Sequence, residues 1–519
     1  MATPRILVLQ SLAASSIWGA HASSAQKPLL HDAEPVAVTS AKKPLVDSDA
    51  LQASISIDRL LKGAQDLYAI ANLSFVEYNR PTRVIGSKGE VGHLGTLKYI
   101  RDAISDLGDY YTIVEQPFPA YVGWVQESRL VVGDEVFQDA KPMSLTPPTK
   151  DREPVHGNIV LVENNGCSHE DYPSSVRGNI ALIRRGACAF GDKSSLAGKA
   201  GAAAAIVYNH EKGDISGTLG SPNDDHVATF GISLDEAKPL IEKLESGDEV
   251  DAIAYIRSWV NTAITNNLVA QTTQGDPENC VALGAHSDSV EAGPGINDDG
   301  SGTLSLIEVA RQLTKFKVNN CVRFAWWSAE EEGLVGSSYY ASSLSPEENL
   351  KVRLFMDYDM LASPNFAYQV YNATNDVHPT GSEELRDLYI DWYQSHGLNY
   401  TLIPFDGRSD YDGFIRAGIP AGGIATGAEG IKSKKERKMF GGKDGDAYDE
   451  CYHQLCDDTR NVNATAWGLN TKLVAHSVAT YAASFDKFPK RNLDTWTRAS
   501  REGGSYAETT KWKGSQLFI

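Results

Sequence analysis

Apolar residues recur at helical spacing in two stretches near the start of the globular part of the chain. The first covers residues 51–71, and the second covers residues 93–107 with Gly108 directly after it. Recurrence at three- and four-residue intervals predicts amphipathic helices, and glycine commonly follows the end of a helix. The next residues, 110–118, predict a strand.

The stretch 122–259 differs from the helical stretches before it, because it contains many short strand-like runs. Between GNIALIRRG and AAAAIVYN lies DKSSLAGKAGA, which predicts a crossover helix and therefore a βαβ unit. We interpret this stretch as a β-rich module.

Strands and helices alternate beyond residue 267, which predicts a parallel sheet covered by helices. The predicted elements are a strand at 280–286, a helix at 301–315, a strand at 321–327, a helix near 333–344 and a strand at 351–359. The fold class is therefore α/β, with a mixed, largely parallel sheet flanked by helices. Residues 51–121 and 260–487 form this domain, and the module 122–259 is inserted into it.

The two ends of the chain have the composition of segments outside a folded domain. Residues 1–22 are typical of a secretory signal, with Arg5 before an apolar run and Ala20-His21-Ala22 as a cleavage pattern. The alternative is an N-terminus that is apolar by chance. We interpret residues 23–50 as a leader or propeptide and residues 488–519 as a polar tail. Four Asn-x-Ser/Thr sequons support export and predict glycosylation at Asn72, Asn372, Asn399 and Asn463.

The composition and the net charge argue against several classes of protein. Of 519 residues, 42% are hydrophobic and 22% are charged, which excludes a mainly disordered chain. The net charge of −19 makes nucleic acid a poor partner. After the N-terminus the chain contains no run of 18 apolar residues, so we expect no membrane span.

Six cysteines in an exported chain indicate three disulfides, with fifteen possible connectivities. The local context favours Cys451–Cys456, because the pair in CYHQLC can close a small loop. Cys280 and Cys321 each open a predicted strand and would lie side by side if these strands are neighbours. That pairing leaves Cys167–Cys188. No C-x-x-C pair is present, so a thiolate zinc site is disfavoured.

The most informative stretch is GAHSDSVEAGPGINDDGSGT, residues 284–303. An apolar strand ends at His286, and Asp288 shares its face, so Asp288 is a candidate partner for the second ring nitrogen of a metal-bound His286. Asn297-Asp298-Asp299 stand between glycines, just before the predicted helix. The acidic residues therefore lie at the carboxyl edge of the sheet, where α/β folds bind ligands.

Two further strands end in acidic residues. RFAWWSAEEEGL ends in Glu330–Glu332, for which a solvated loop is the alternative explanation. VRLFMDYDML carries Asp357 and Asp359 in an apolar frame, where a carboxylate is costly unless it is paired or binds a metal. His453 lies inside the small cysteine loop, and a lone surface histidine is the alternative there.

Together these residues form a set of histidines and carboxylates without a thiolate. Such a set suits Zn²⁺, and two ions can share a bridging carboxylate. Two close metals polarise a carbonyl and lower the pKa of a shared water, and the chemistry then needs a base that is not a ligand. Since adjacent residues at a strand end point in different directions, one of Glu330 and Glu331 can bind metal while the other faces the substrate.

The motifs HSDS, GPGINDDGSG, RFAWWSAEEEGLVGS, YDMLASPN, GRSDYDGF and CYHQLCD resemble the co-catalytic dizinc aminopeptidases of peptidase family M28. The resemblance covers residues 50–485 and is strongest to secreted and vacuolar fungal members. It implies a zinc exopeptidase fold, secretion with a vacuolar location as the alternative, and two Zn²⁺ per chain. The segment VRGNIALIRRGACAFGDKSSLAGKAGAAAAIVYN resembles the protease-associated (PA) domain.

The resemblance also implies residue roles. The implied metal ligands are His286 and Asp359 for one zinc, Glu331 and His453 for the other, and Asp298 as the bridge. Glu330 would be the general base and acid, and Tyr452 would stabilise the tetrahedral oxyanion. The substrate's amine would be held by Glu330 and Asp359, together with a main-chain group near Arg408. The family also often has a cis peptide after the bridging aspartate.

The leading hypothesis is a monomeric aminopeptidase that acts on peptides with a free N-terminus, probed by hydrolysis of Leu-p-nitroanilide and its loss with a chelator. A dizinc carboxypeptidase is the first alternative, and it needs a basic group for the terminal carboxylate. Arg408 is the obvious candidate for that group. A catalytically inactive, receptor-like protein is the second alternative, and such relatives usually lose metal ligands.

Overall fold

Fourteen strands in the described part of the chain pair into a continuous sheet. The computed structural model describes residues 43–86, 91–210, 213, 215 and 217–491. The strands are β1 (Tyr111–Val132), β2 (Glu135–Val136), β3 (Lys141–Pro142), β4 (Val155–Leu161), β5 (Ile180–Arg184), β6 (Ala204–Tyr208), β7 (Thr229–Ile232), β8 (Asp251–Thr272), β9 (Asp276–His286), β10 (Asn320–Trp327), β11 (Val352–Tyr358), β12 (Gln369–Tyr371), β13 (Thr401–Ile403) and β14 (Ala421–Ala425).

The helices lie mainly in the parts of the chain before and after the β-rich module. They are α1 (Ser48–Ala53), α2 (Ile57–Leu73), α3 (Phe75–Tyr78), α4 (Gly92–Ser105), α5 (Phe190–Ala200), α6 (Leu234–Glu245), α7 (Gly300–Leu313), α8 (Val335–Ser343), α9 (Pro346–Lys351), α10 (Ser382–Ser395), α11 (Tyr411–Arg416), α12 (Lys434–Phe440) and α13 (Ala464–Ala483). None of the described helices is both long and apolar enough to cross a membrane.

The central part of the sheet has the strand order β13-β12-β14-β11-β9-β10-β8. β9 is parallel to both of its neighbours, β10 and β11, and β11 is parallel to β14. β8 and β12 run antiparallel to their neighbours β10 and β14. The predicted mixed, largely parallel sheet flanked by helices is confirmed.

The inserted module has its own βαβ core. β4, β5, β6 and β7 are parallel, and the predicted crossover helix is α5, between β5 and β6. The 22-residue strands β1 and β8 pair antiparallel from Tyr111↔Thr272 to Val132↔Ala252 and carry the chain into the module and back. The module limits predicted at 122 and 259 fall within this long ribbon.

Packing against the main core extends beyond the predicted limits of the peptidase domain. Val46 is buried and its N–H donates to the carbonyl of Lys317, although residues 43–50 were assigned to the leader. Phe488 is also buried, and Arg491 donates to the carbonyl of Val352. One or two adjacent apolar residues in a short polar segment give no periodicity, so this packing was not predictable. The signal, residues 23–42 and most of the tail lie outside the described residues.

The cysteines pair as their sequence context indicates, in Cys167–Cys188, Cys280–Cys321 and Cys451–Cys456. Cys280 and Cys321 lie near the starts of β9 and β10, which are parallel neighbours, so their Cα atoms are 4.5 Å apart.

Candidate metal centre

Three neighbouring strands bring the predicted ligands to one edge of the sheet. β9 ends at His286, β10 ends shortly before Glu330, and β11 ends next to Asp359. Because these strands are parallel neighbours, their carboxyl ends meet at the edge where α/β sheets bind ligands. Helix α7 begins at the same edge, directly after Asp298-Asp299.

Asp298 lies between the two predicted histidine ligands. Its Oδ1 atom is 3.0 Å from His286 Nε2, and its Oδ2 atom is 3.1 Å from His453 Nε2. A carboxylate that presents one oxygen to each histidine has the arrangement of a bridging ligand. The peptide bond between Asp298 and Asp299 is cis.

Each histidine has one further carboxylate of the predicted set beside it. Glu331 Oε2 lies 3.1 Å from His453 Nε2, and Asp359 Oδ1 lies 3.8 Å from His286 Nε2. The ligand atoms of His286, Asp298 and Glu331 also lie within 4.8 Å of one another, close enough to hold a cation. The structure thus brings together all five residues that the sequence analysis selected as ligands.

Glu330 is buried beside this set. Its Oε2 atom lies 3.9 Å from His286 Nε2, and its side chain is 4% exposed. Burial, and then the charges of Glu331 and Asp410, raise the pKa of Glu330 well above its ordinary value, although His286 opposes the shift. A carboxyl group with a raised pKa holds a proton more readily than a free carboxyl group, which suits a general acid and base.

The chemistry of the cluster fits a divalent cation. His286 Nδ1 and Asp359 Oδ1 are buried and have no hydrogen-bond partner among the described residues. Buried carboxylates are costly unless they are paired or bind a metal, and this site holds more carboxylates than positive groups. Nitrogen and oxygen ligands without a thiolate suit Zn²⁺. The donor set that is present therefore fits zinc.

The electrostatics of the histidines reflect this excess of negative charge. Burial alone would lower the pKa of His453, but Glu331 and Asp298 outweigh it and raise the pKa to about 10. The pKa of His286 is likewise raised, because Glu330 and Asp298 outweigh the effect of burial. Burial opposes ionisation of Asp298, yet hydrogen bonds from both histidines lower its pKa. The carboxylates thus hold positive charge at both histidines.

A disulfide loop presents His453 to the site. Cys451 and Cys456 close the loop, and His453 adopts a left-handed backbone conformation with φ of 56°. That conformation is uncommon for a residue with a side chain, so the loop must hold it in place. The ring of Tyr452 stacks on the ring of His453 with centroids 3.8 Å apart.

Removing this disulfide by Cys451→Ser/Cys456→Ser is expected to weaken zinc binding while leaving the fold intact. The loop would then be ordered only when the metal binds, at about 1–2 kcal/mol for each residue fixed. Metal titration of the chelated variant measures the change, and Cys167→Ser/Cys188→Ser in the module serves as the matched control. Equal zinc affinity in the loop variant and the wild type would contradict a supporting role for the disulfide.

Asp288 has a different role from the predicted one. Its Oδ1 atom lies 3.8 Å from His286 Nδ1, which is too long for a hydrogen bond. Asp288 instead accepts the backbone N–H groups of Glu330, at 3.4 Å, and Glu331, at 3.3 Å. The residues after β10 turn their amides toward Asp288, so this carboxylate positions the segment that carries both glutamates.

The sequence analysis missed a fully buried arginine behind the site. Arg83 donates to the carbonyls of Ser287, at 2.5 Å, Pro294, at 2.8 Å, and Gly295. It therefore ties together both ends of the loop between His286 and Asp298. No motif surrounds Arg83 in the sequence, so only the fold reveals this contact.

Further polar residues hold the backbone around the predicted bridging residue in place. Asp457 accepts the backbone N–H groups of Asn297, at 2.9 Å, and Asp298, at 3.1 Å. Asp299 accepts the N–H of Gly302, and thereby caps α7. Asp299 also accepts the backbone N–H of His286 at 3.2 Å, and its carboxylate lies close enough to His286 and Asp359 for the three to hold a cation. The position of Asp457 in CYHQLCD is the one sequence signal that could have identified it.

Arg408 lies beside Tyr452 rather than beside the predicted ligands. Its guanidinium pairs with Glu429, with Nη1 3.0 Å from Oε1, and its Nη2 atom donates to Tyr452 Oη at 3.4 Å. The neighbouring Ser409 hydroxyl donates to Asp359 Oδ2 at 2.8 Å. The segment 408–409 therefore contacts both the predicted oxyanion-binding residue and one predicted ligand.

Two family models match the sequence. The model described as Peptidase family M28 matches residues 267–478, and the model described as PA domain matches residues 155–240. The second match falls within the β-rich module, and the first covers the strands that carry the candidate metal ligands.

Named relatives match over most of the chain. Aminopeptidase Y of Saccharomyces cerevisiae is 51% identical over 459 residues, which are 86% of this chain and 83% of that protein. The probable leucine aminopeptidase 2 of Aspergillus oryzae is 44% identical over 481 residues, 91% of this chain and 94% of that protein. Among solved structures, the aminopeptidase of Aneurinibacillus sp. strain AM-1 aligns with a TM-score of 0.68 and 26% identity, covering 86% of this chain and all of that one (100%).

Proposed function

Because this chain belongs to peptidase family M28 and is an aminopeptidase, we propose that it binds two zinc ions and releases N-terminal residues from peptides. Leucine and other apolar residues are the proposed substrates, since one matched relative is named a probable leucine aminopeptidase. The observation that carries the proposal is Asp298, whose two oxygens each face a histidine at 3.0 and 3.1 Å.

The proposed ligands divide around Asp298. His286 and Asp359 would hold one zinc, Glu331 and His453 would hold the other, and Asp298 would contact both. Zinc ions bound there would polarise the carbonyl of the scissile peptide bond and make a nearby water molecule more acidic.

Glu330 is the proposed base and acid. It accepts a proton from the attacking water and later donates a proton to the leaving amine, and burial supports this role by raising its pKa. Tyr452 donates its phenolic hydrogen to the carbonyl oxygen as negative charge develops there. Asp288 accepts the Glu330 backbone N–H and so anchors the segment from which the Glu330 side chain projects.

The excess of buried carboxylates also suits the substrate's ammonium group. Glu330 and Asp359 are the proposed partners of the free amine, and Ser409 fixes the Asp359 carboxylate from one side. A carboxypeptidase would need a basic side chain for the substrate's terminal carboxylate. Arg408 is paired with Glu429, so the structure favours recognition of an amine.

The other proposed features concern the whole protein. We propose secretion, supported by the three disulfides, and a monomeric state. We also propose that the module is not catalytic, because among the described residues it contributes none of the five ligands. Glycosylation at the four sequons stays a prediction; the structure places Asn72, Asn372 and Asn399 at exposed positions and Asn463 at the N-cap of α13.

A blocked substrate tests the proposed function directly. Leu-p-nitroanilide is expected to be hydrolysed, whereas N-acetyl-Leu-p-nitroanilide is expected to react at least about 100-fold more slowly, because it lacks the ammonium group that buried carboxylates would bind. A peptide with a blocked N-terminus and a free C-terminus serves as the carboxypeptidase control. Release of its last residue, or equal rates for the first two substrates, would contradict the proposal.

A further inference from the structure

The phenol oxygen of Tyr452 accepts a hydrogen bond from a charged donor. Arg408 Nη2 lies 3.4 Å from Tyr452 Oη. A guanidinium group has donors and no acceptor, so the phenol oxygen can only accept in this contact. The phenol's own hydrogen is therefore directed away from Arg408 and is available to another acceptor.

Two sets of contacts hold Arg408 in this position. Its guanidinium faces Glu429 through two parallel contacts, Nη1 to Oε1 at 3.0 Å and Nη2 to Oε2 at 3.1 Å. Its backbone N–H donates to Tyr411 Oη at 3.3 Å, and the Tyr411 hydroxyl donates to Asp406. Paired contacts of this kind fix the plane of a guanidinium group as well as its position.

On its other side, Tyr452 is held against the metal ligands. Its ring stacks on the His453 ring, with an interplanar angle of 24°, and the disulfide loop carries both residues. The phenol is thus placed between Arg408 and the site. A cationic donor to the phenol oxygen polarises the O–H bond and strengthens it as a donor, since hydrogen bonds in a chain reinforce one another.

We infer that Arg408 is a positioning residue that acts on the reaction through Tyr452, and that Glu429 orients Arg408 for this purpose. The inference rests on the proposed function, in which Tyr452 donates to the carbonyl oxygen. This role of the Arg408 side chain is distinct from the expectation that a main-chain group near Arg408 helps to hold the substrate's amine. Arg408 need not touch the substrate to act through Tyr452.

Kinetic constants separate this role from substrate binding. Arg408→Met is expected to lower kcat on Leu-p-nitroanilide about tenfold with KM changed less than about twofold, because the lost contact acts in the transition state. Arg408→Lys keeps a cationic donor and is expected to recover part of the loss. Glu429→Gln is expected to cost only about two- to threefold, since its side chain is 51% exposed and the pair is screened by salt.

A double-mutant cycle provides the decisive readout. In a Tyr452→Phe background, Arg408→Met is expected to change kcat less than about twofold, because the phenol oxygen through which Arg408 acts is absent. A full tenfold effect in that background would overturn the inference. A tenfold rise in KM with unchanged kcat would overturn it as well, since it would assign Arg408 to the substrate.

Controls distinguish this inference from the proposed function. Zinc content and thermal unfolding of each variant show that the fold and the metal site are retained; if Arg408→Met does not fold, Arg408→Lys is compared with the wild type in the same cycle. If the wild type does not hydrolyse the substrate, the proposed function fails. Crystal structures of the wild type and of the folded Arg408 variant then decide the inference, because absence of the Arg408–Tyr452 contact from the wild type would overturn it.

Discussion

The Glu330→Gln variant is expected to keep its zinc content and its fold. Its kcat is expected to fall by a factor of at least about 10²–10⁴, the usual contribution of general acid–base catalysis. The amide has nearly the same shape as the carboxylate but cannot accept a proton from water. Glu330 is buried, and its Oε2 atom lies 3.9 Å from His286 Nε2, beyond hydrogen-bond distance. Metal analysis and kcat on Leu-p-nitroanilide measure the two parts of the prediction.

The adjacent Glu331→Gln is the matched control. Glu331 Oε2 lies 3.1 Å from His453 Nε2, so it belongs to the predicted ligand set, and an amide is a poor zinc ligand. This variant is expected to lose zinc, and its activity with it. If Glu330→Gln lost zinc while Glu331→Gln retained it, the roles of the two neighbours would be reversed.

The positions of the proposed ligands could be predicted from the sequence because strand topology dictates where they lie. His286, Glu331 and Asp359 each follow an apolar strand of consecutive α/β units, and parallel strands place such positions at one edge. His453 was identified through its cysteine loop and the family resemblance. Its distance to Asp298 depends on the tertiary fold, which no local pattern encodes.

The supporting contacts could not be predicted for a physical reason. Arg83 and Asp457 act on backbone groups of the loop before α7, and a backbone N–H or carbonyl leaves no signature in the sequence. The backbone contacts of Asp288 could not be predicted from the sequence either. Its alternation with His286 was visible, but its binding to the amides of Glu330 and Glu331 follows from how the end of β10 turns.

The boundaries of several helices and strands could not be predicted from the sequence either. The strand predicted at 110–118 extends to Val132, because β1 pairs with β8 along a ribbon of 22 residues whose outer positions are polar or exposed. Solvent-facing positions of the ribbon show little hydrophobic periodicity. The hydrophobic pattern therefore predicted only the part of β1 that packs on the core of the main domain. The helix predicted at 51–71 divides in the same way into α1 and α2, with Ser56 capping the second.

Chelation is expected to abolish activity, and added zinc to restore it most completely at neutral to alkaline pH. The carboxylates raise the pKa of His453 to about 10, so in the chelated protein this histidine is protonated at neutral pH. Zinc must displace that proton. Its apparent affinity should therefore rise about tenfold per pH unit for each proton released.

Low pH is expected to weaken zinc binding at the same site by protonating a carboxylate. Burial is the main cause that raises the pKa of Asp359, to about 6, so this ligand is protonated below that value and binds zinc poorly there. Zinc affinity and activity are thus both expected to fall below about pH 6. Competition with a metallochromic indicator across pH 5–9 measures the affinity, and kcat at saturating zinc measures the activity. Full activity after exhaustive chelation would refute the metal assignment, whereas a pH-independent affinity would show that zinc binds without displacing the histidine proton.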